Sequence, residues 1–112
     1  MKSTFDNILS TGLLALTLTS TGYAATPSFD CAKASSDTEK LICDDPELAD
    51  LDRSLAELYS VVLKNSSSDD QKMLKAEQRG WIKGRDDCWK ADDLRRCVAD
   101  EYRYRIDQLK DR

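Results

Sequence analysis

Four cysteines, Cys31, Cys43, Cys88 and Cys97, fall in a chain of 112 residues that contains no histidine. They constrain the fold more than any other feature. Their gaps read C-x11-C and C-x8-C, and neither matches the short C-x2-4-C knuckle of structural zinc sites. An even count in a short chain reads instead as two disulfides, for which three pairings exist. Metal ligation or free thiols are the competing reading. The compartment decides between them, because disulfides persist only where the surroundings are oxidising.

The first two dozen residues speak to that compartment. Lys2 supplies a thin positive start, weakened by Asp6, and the stretch from Ile8 to Leu18 is mostly apolar. Gly22-Tyr23-Ala24 then offers small residues at the −3 and −1 positions of a cleavage site. The apolar run is too short, and too interrupted by Ser and Thr, to span a bilayer. Residues 1–24 therefore read as a cleaved export signal, with an uncleaved membrane anchor as the alternative. Ser28-Phe29-Asp30 precedes Cys31 and forms no lipid-attachment box. The expectation is a soluble exported protein, periplasmic or secreted, with all four cysteines in its mature part.

Residues 25–112 suffice for one domain. Lys2 and Asp6 cancel, so the mature chain keeps the net charge of −4. Nucleic-acid binding needs a basic surface that displaces counterions, so this balance argues against it. A single core of this size is marginal, and covalent staples are expected.

From Ser36 onward the pattern is helical. Ser36-Asp37-Thr38-Glu39 is a capping box that predicts a short helix to about Cys43. Asp45 and Pro46 suit the N-cap and first position of the next helix. There Leu48, Leu51, Leu55, Leu58 and Val62 repeat at three- and four-residue steps. Asn65-Ser66-Ser67-Ser68 ends that helix and caps a third, with Asp69 and Asp70 in its first turn. The third carries Leu74, Trp81 and Cys88 on one stripe. A fourth restarts near Asp92 and Asp93 and aligns Leu94, Val98, Tyr102, Ile106 and Leu109. No strand-like alternation occurs. The prediction is an all-α antiparallel bundle of one short and three longer helices.

That architecture orders the cysteine pairings. Cys88 and Cys97 stand on either side of a turn at Asp92, where neighbouring antiparallel helices come within disulfide reach. Cys31 and Cys43 bracket a turn and a short helix. Sequential pairing, Cys31–Cys43 and Cys88–Cys97, closes the shortest loops. Gly80 and Gly84 each disfavour a helix by about 1 kcal/mol relative to alanine, and close approach of a neighbouring helix is the expected reason. Trp89 is rotated about 80° from the Trp81 stripe, which points it partly to solvent.

Chemistry at these side chains is limited. Without histidine there is no Ser-His or Cys-His nucleophile. The carboxylate pairs Asp44-Asp45, Asp86-Asp87 and Asp92-Asp93 are sequence neighbours, whose side chains diverge on a helix. No phosphate loop, cofactor motif or metal-ligand spacing is present. The chain reads as a non-enzyme with no cofactor and no metal.

Charge at the surface is the remaining signal. Residues 30–52 hold eight acidic and two basic side chains. Asp44, Asp45, Glu47, Asp50 and Glu57 form either a solvated helix face or an acidic docking surface for a basic protein, with Trp89 as a candidate aromatic anchor. Asp52 and Arg85 fall at the edges of the apolar stripes. A structural ion pair of Asp52 with Arg85, or secondarily with Arg105, is expected there rather than a binding role.

The succession of Cys31, "TEKLIC", "PELADLD", "LAELY", "QRGWIKGRDDC", Cys97 and "YRYRIDQL" resembles the LprI-type lysozyme-inhibitor domain, over essentially all of residues 31–109. The likeness rests on the four cysteines, Leu51-Asp52, Tyr59, Gln78, Trp81, Arg85-Asp86, Tyr102, Arg105, Ile106 and Leu109. It implies a small exported helical domain that inhibits lysozyme or a similar peptidoglycan hydrolase, with a basic enzyme as partner and no catalytic motif. The namesake of the family is lipid-anchored, whereas no attachment cysteine occurs here. The other readings are an immunity protein against an envelope-targeting toxin and a non-inhibitory envelope interaction module.

Overall fold

Each helix begins where a side chain can satisfy its free backbone N–H groups. The computed structural model describes residues 26–112, so the expected export signal lies outside the described residues. Helix α1 spans Asp37–Asp44, and Ser36 accepts from the Glu39 N–H at 3.0 Å while the Glu39 carboxylate accepts from the Ser36 N–H at 3.1 Å. The same carboxylate also accepts from the Ser35 N–H. These backbone donors hold Glu39 below its usual carboxylate range. Helix α2 spans Pro46–Lys64, N-capped by Asp45 with Pro46 at its first position. Helix α3, Ser68–Asp86, starts from Ser67, and α4, Leu94–Lys110, starts from Asp93. Two 3-10 turns, Cys31–Lys33 and Asp87–Lys90, complete the elements among the described residues.

The stripes read from the sequence meet in one core. Ile42, Leu48, Leu55, Leu74, Val98, Tyr102 and Leu109 are buried, with Leu51, Leu58, Val62, Trp81, Leu94 and Ile106 packed around them. Helices α2 and α4 make the most extensive contact, and α3 packs more strongly on α4 than on α2. The termini fall in order: α2 and α4 begin, and α3 finishes, at the end that carries both disulfides. The turn between α2 and α3 lies at the other end.

Both disulfides have the sequential pairing. Cys31–Cys43 has a Cα–Cα distance of 5.9 Å and Cys88–Cys97 one of 5.6 Å. Cys88 is not in α3, however. The α-helix stops at Asp86, and Cys88 sits in the following 3-10 turn. That tighter winding advances the chain toward the bend before the disulfide closes it.

The expectation for the glycines is corrected. A β-carbon built on Gly80 or Gly84 would meet nothing within 4 Å, so no helix approaches them. Both lie on the exposed side of α3, away from the Leu74 and Trp81 stripe. Gly80→Ala and Gly84→Ala are each expected to stabilise the protein by about 0.5–1 kcal/mol, since alanine loses less backbone freedom on folding and has room here. Chemical denaturation of the two variants checks this. Destabilisation by either would point to a constraint on α3 that its packing does not reveal.

Candidate functional site

Two arrangements of polar side chains stand out, one inside the bundle and one on its disulfide-bonded end. The interior one joins three helices through a single hydroxyl. Tyr102 of α4 is fully buried, and its O–H donates to Asp52 Oδ1 of α2 at 2.8 Å. The same oxygen accepts from Arg85 Nη1 of α3 at 3.0 Å. Burial pushes the Tyr102 phenol well above its usual range, so it stays protonated and can play both parts.

The remaining valences are also filled. The Ser28 N–H and Oγ both donate to Asp52 Oδ2 at 2.6 Å. Arg85 Nε and Nη2 both donate to Asp86 Oδ1, at 3.0 and 2.7 Å. The Arg85 guanidinium lies 5.6 to 6.0 Å from the ring centroids of Trp81, Phe29 and Tyr102. Trp81 and Tyr102 pack edge to face at 4.9 Å, and Trp81 Nε1 donates to the Glu101 carbonyl. With every charged atom of Asp52 and Arg85 engaged, this cluster ties helices together and offers no free group to a substrate. A 230 Å³ cleft over it is lined partly by Ser28 and Phe29 of the N-terminal arm.

The direct ion pair expected for Asp52 is therefore absent among the described residues. Asp52 and Arg85 are buried as expected, but Tyr102 stands between them. Arg105 is buried too, yet it turns away from Asp52. Its Nε donates to Gln78 Oε1 at 2.9 Å, and Glu77 lies 3.7 Å from Nη1. Burial lowers the pKa of Arg105 from its ordinary value. Sequence reasoning counted Tyr102 as an apolar stripe residue and gave Ser28 no role. A tyrosine on a core stripe, whose hydroxyl needs a buried partner, was the available signal for the first. Nothing local signals the second, since Ser28 meets Asp52 only through the return of the chain.

The second arrangement is the stapled corner. The Cys88–Cys97 bridge closes residues 88–97 into a rigid loop, and Trp89 projects from it with 60% of its surface exposed. Lys90 Nζ sits 5.5 Å from the indole and 3.7 Å from Asp87. Asp86, Asp87, Asp92 and Asp93 flank the tryptophan in sequence, balanced by Arg85, Lys90, Arg95 and Arg96, with Asp86 held by Arg85 and Asp87 by Lys90. The corner carries charges of both signs around one exposed aromatic side chain.

Part of the acidic surface expected on α2 adjoins this corner. Arg95 of α4 donates to Asp45 at 2.6 Å and also binds Glu47, which Arg103 approaches at 3.4 Å. The hydrogen bond from Arg95 holds Asp45 below the usual carboxylate range. Asp50 pairs with Arg53 at 2.7 Å. Asp44 and Glu57 enter no ion pair among the described residues. Asp44, Asp45 and Glu47 thus share the disulfide-bonded end with Trp89. Glu57 lies ten residues beyond Glu47, about 15 Å along α2. Much of the acidic face is neutralised by the protein's own arginines. Among the described residues no three carboxylates or cysteines converge as metal ligands, and no helix is long and apolar enough to cross a membrane.

The family model for lysozyme inhibitor LprI matches residues 31–109, from the first cysteine to the last core leucine. This chain belongs to the LprI lysozyme-inhibitor family. Curated relatives include lipoprotein LprI of Mycobacterium tuberculosis and of Mycobacterium bovis, each 35% identical over 89 residues. The alignment covers 80% of this chain and 44% of each relative, so the chain spans less than half the length of the LprI lipoproteins it matches. No solved structure matches the chain. Both disulfides, the Asp52–Tyr102–Arg85 cluster and the Trp89 corner fall within the family's matched region.

Proposed function

We propose that this protein acts in the cell envelope or outside it, where it binds a lysozyme or related peptidoglycan hydrolase and occludes its cleft. The observation that carries the reading is the LprI family match across the whole disulfide-bonded domain. The two disulfides support an oxidising, exported location. The stapled corner supports the mode of binding: an exposed tryptophan on a disulfide-closed turn suits a concave enzyme site. Holding Trp89 in place before the encounter lowers the ordering cost of binding.

The paired state of Asp45, Glu47 and Asp50 shifts their part in this reading. Carboxylates already held by Arg95, Arg103 and Arg53 contribute to the long-range field more than to direct contacts. Glu47→Lys with Asp50→Lys is therefore expected to slow association with a basic lysozyme, most at low salt, and to change dissociation little. Trp89→Ala is expected to accelerate dissociation by tenfold or more, about 1.4 kcal/mol, at either salt concentration. Binding kinetics, run beside a cell-wall lysis assay, test both. A wild-type protein that neither binds nor inhibits basic lysozymes would overturn the inhibitor reading. Inhibition unaffected by Trp89→Ala would move the contact off the corner.

A further inference from the structure

A different surface lies toward the end of the bundle away from Trp89. Between α2 and α4 runs an apolar trough floored by Leu51, Leu58 and Ile106. Where α2, α3 and α4 converge on the α2–α3 turn it widens into a hollow of about 710 Å³, sharing Leu58 and Lys110 with the trough. Val61 and Met73 stand on its walls, 56% and 60% exposed, and neither contributes to the core.

The charges on its rims are opposed. Asp70 stands on the α3 side, and Lys110 and Arg112 stand on the α4 side. Glu57 adds a negative charge to α2 one turn before Val61, and Asp107 offsets part of the positive charge of α4. Arg112 is held by Glu77. Asp70, Glu57 and Lys110 enter no ion pair among the described residues, although Asp70 and Lys110 face the same hollow.

We propose that this surface joins two copies of the protein about a two-fold axis, with Met73 and Val61 of each copy filling the hollow of the other. A two-fold contact is self-complementary only when each patch carries both halves of the match. An apolar projection beside an apolar hollow, and an acidic rim opposite a basic one, meet that condition: Asp70 of each copy faces Lys110 of its partner. A uniformly basic hydrolase would be drawn to Asp70 and opposed by Lys110, whereas a second copy satisfies both. The trough covers about 16 Å of α2 from Leu51 to Val62. A contact this short is small beside the roughly 800 Å² per partner of a standard interface, so the dimer is expected to be weak. Because this surface is directed away from Trp89, both stapled corners stay free and the dimer presents two binding ends.

Sedimentation equilibrium of the purified protein alone, from micromolar to near-millimolar concentration, tests this without any hydrolase. The weight-average mass of the wild type is expected to climb toward twice that of the monomer. Met73→Asp, at an exposed position, is expected to hold the protein monomeric with unchanged helix content. Asp70→Lys and Lys110→Glu are each expected to weaken association about tenfold, and the double variant to recover most of the loss. A wild type that stays monomeric throughout overturns the proposal, as does a dimer indifferent to Met73→Asp. Failure of the double variant to recover overturns the two-fold pairing. If Met73→Asp weakened hydrolase binding and left the mass unchanged, the trough would belong to the target instead. A lost inhibitor activity with intact dimerisation would defeat only the function proposed above.

Discussion

Tyr102→Phe is expected to destabilise the domain by about 2–4 kcal/mol while removing one oxygen atom. The ring can still pack edge to face on Trp81, so the change isolates the hydroxyl that links Asp52 and Arg85. Its loss leaves a buried carboxylate and a buried guanidinium each short of a partner. An unsatisfied buried group typically costs about 1–3 kcal/mol, and more when charged. In a domain of this size that lowers the melting temperature by roughly 10–25 °C. Asp52→Ala should also destabilise strongly, because it strands Tyr102 and both Ser28 donors, whereas Asp111→Ala at the exposed C-terminus should have almost no effect. Thermal melts of Tyr102→Phe, Asp52→Asn and the double variant would show the coupling. Purely additive losses would mean that the two groups act independently.

Removing the corner bridge should be nearly as severe. Cys88→Ala with Cys97→Ala reopens a short loop in the unfolded chain, and the loop-entropy treatment assigns such a bridge about 2–3 kcal/mol. The helices should survive, since Asp93 can still cap α4 and the core around Leu48, Leu74 and Tyr102 is untouched, and circular dichroism at low temperature would verify that. The variant also separates stability from function. If Trp89 must be held in place to bind, hydrolase affinity falls even under conditions where the variant is fully folded. Unchanged stability would remove the bridge from the forces that hold the fold.

How much of this was legible in the sequence differs by element. Ser36, Asp45 and the run Asn65-Ser66-Ser67-Ser68 announced three helix starts, because capping is a local exchange between a side chain and the next few N–H groups. The α2 stripe from Leu48 to Val62 and the α4 stripe from Leu94 to Leu109 named the core, because 3.6-residue periodicity is a property of one helix. Sequential disulfide pairing followed from antiparallel neighbours joined by short turns. These inferences needed no knowledge of how distant segments meet. Trp89 is exposed as expected, but through its place in the 3-10 turn after α3 and not through helical rotation from Trp81.

The polar contacts were a different matter. Whether Asp52 reaches Arg85 directly depends on what lies between α2 and α3, and that is Tyr102, fifty residues further along the chain. Ser28 meets Asp52 only because the N-terminal arm folds back beside it. The acidic face of α2 read as either a solvated helix face or a docking surface, and neither reading anticipated that α4 lays Arg95 and Arg103 against it. Gly80 and Gly84 looked like contact points until α3 turned them to solvent. The sequence by itself determined the helices, their buried faces and their staples, because those depend on near neighbours and on the cost of leaving apolar surface in water. Tertiary structure alone decided which charges are spent inside the protein and which remain for a partner, because a charged side chain reaches only a few ångströms and pairs with whatever the packing brings there.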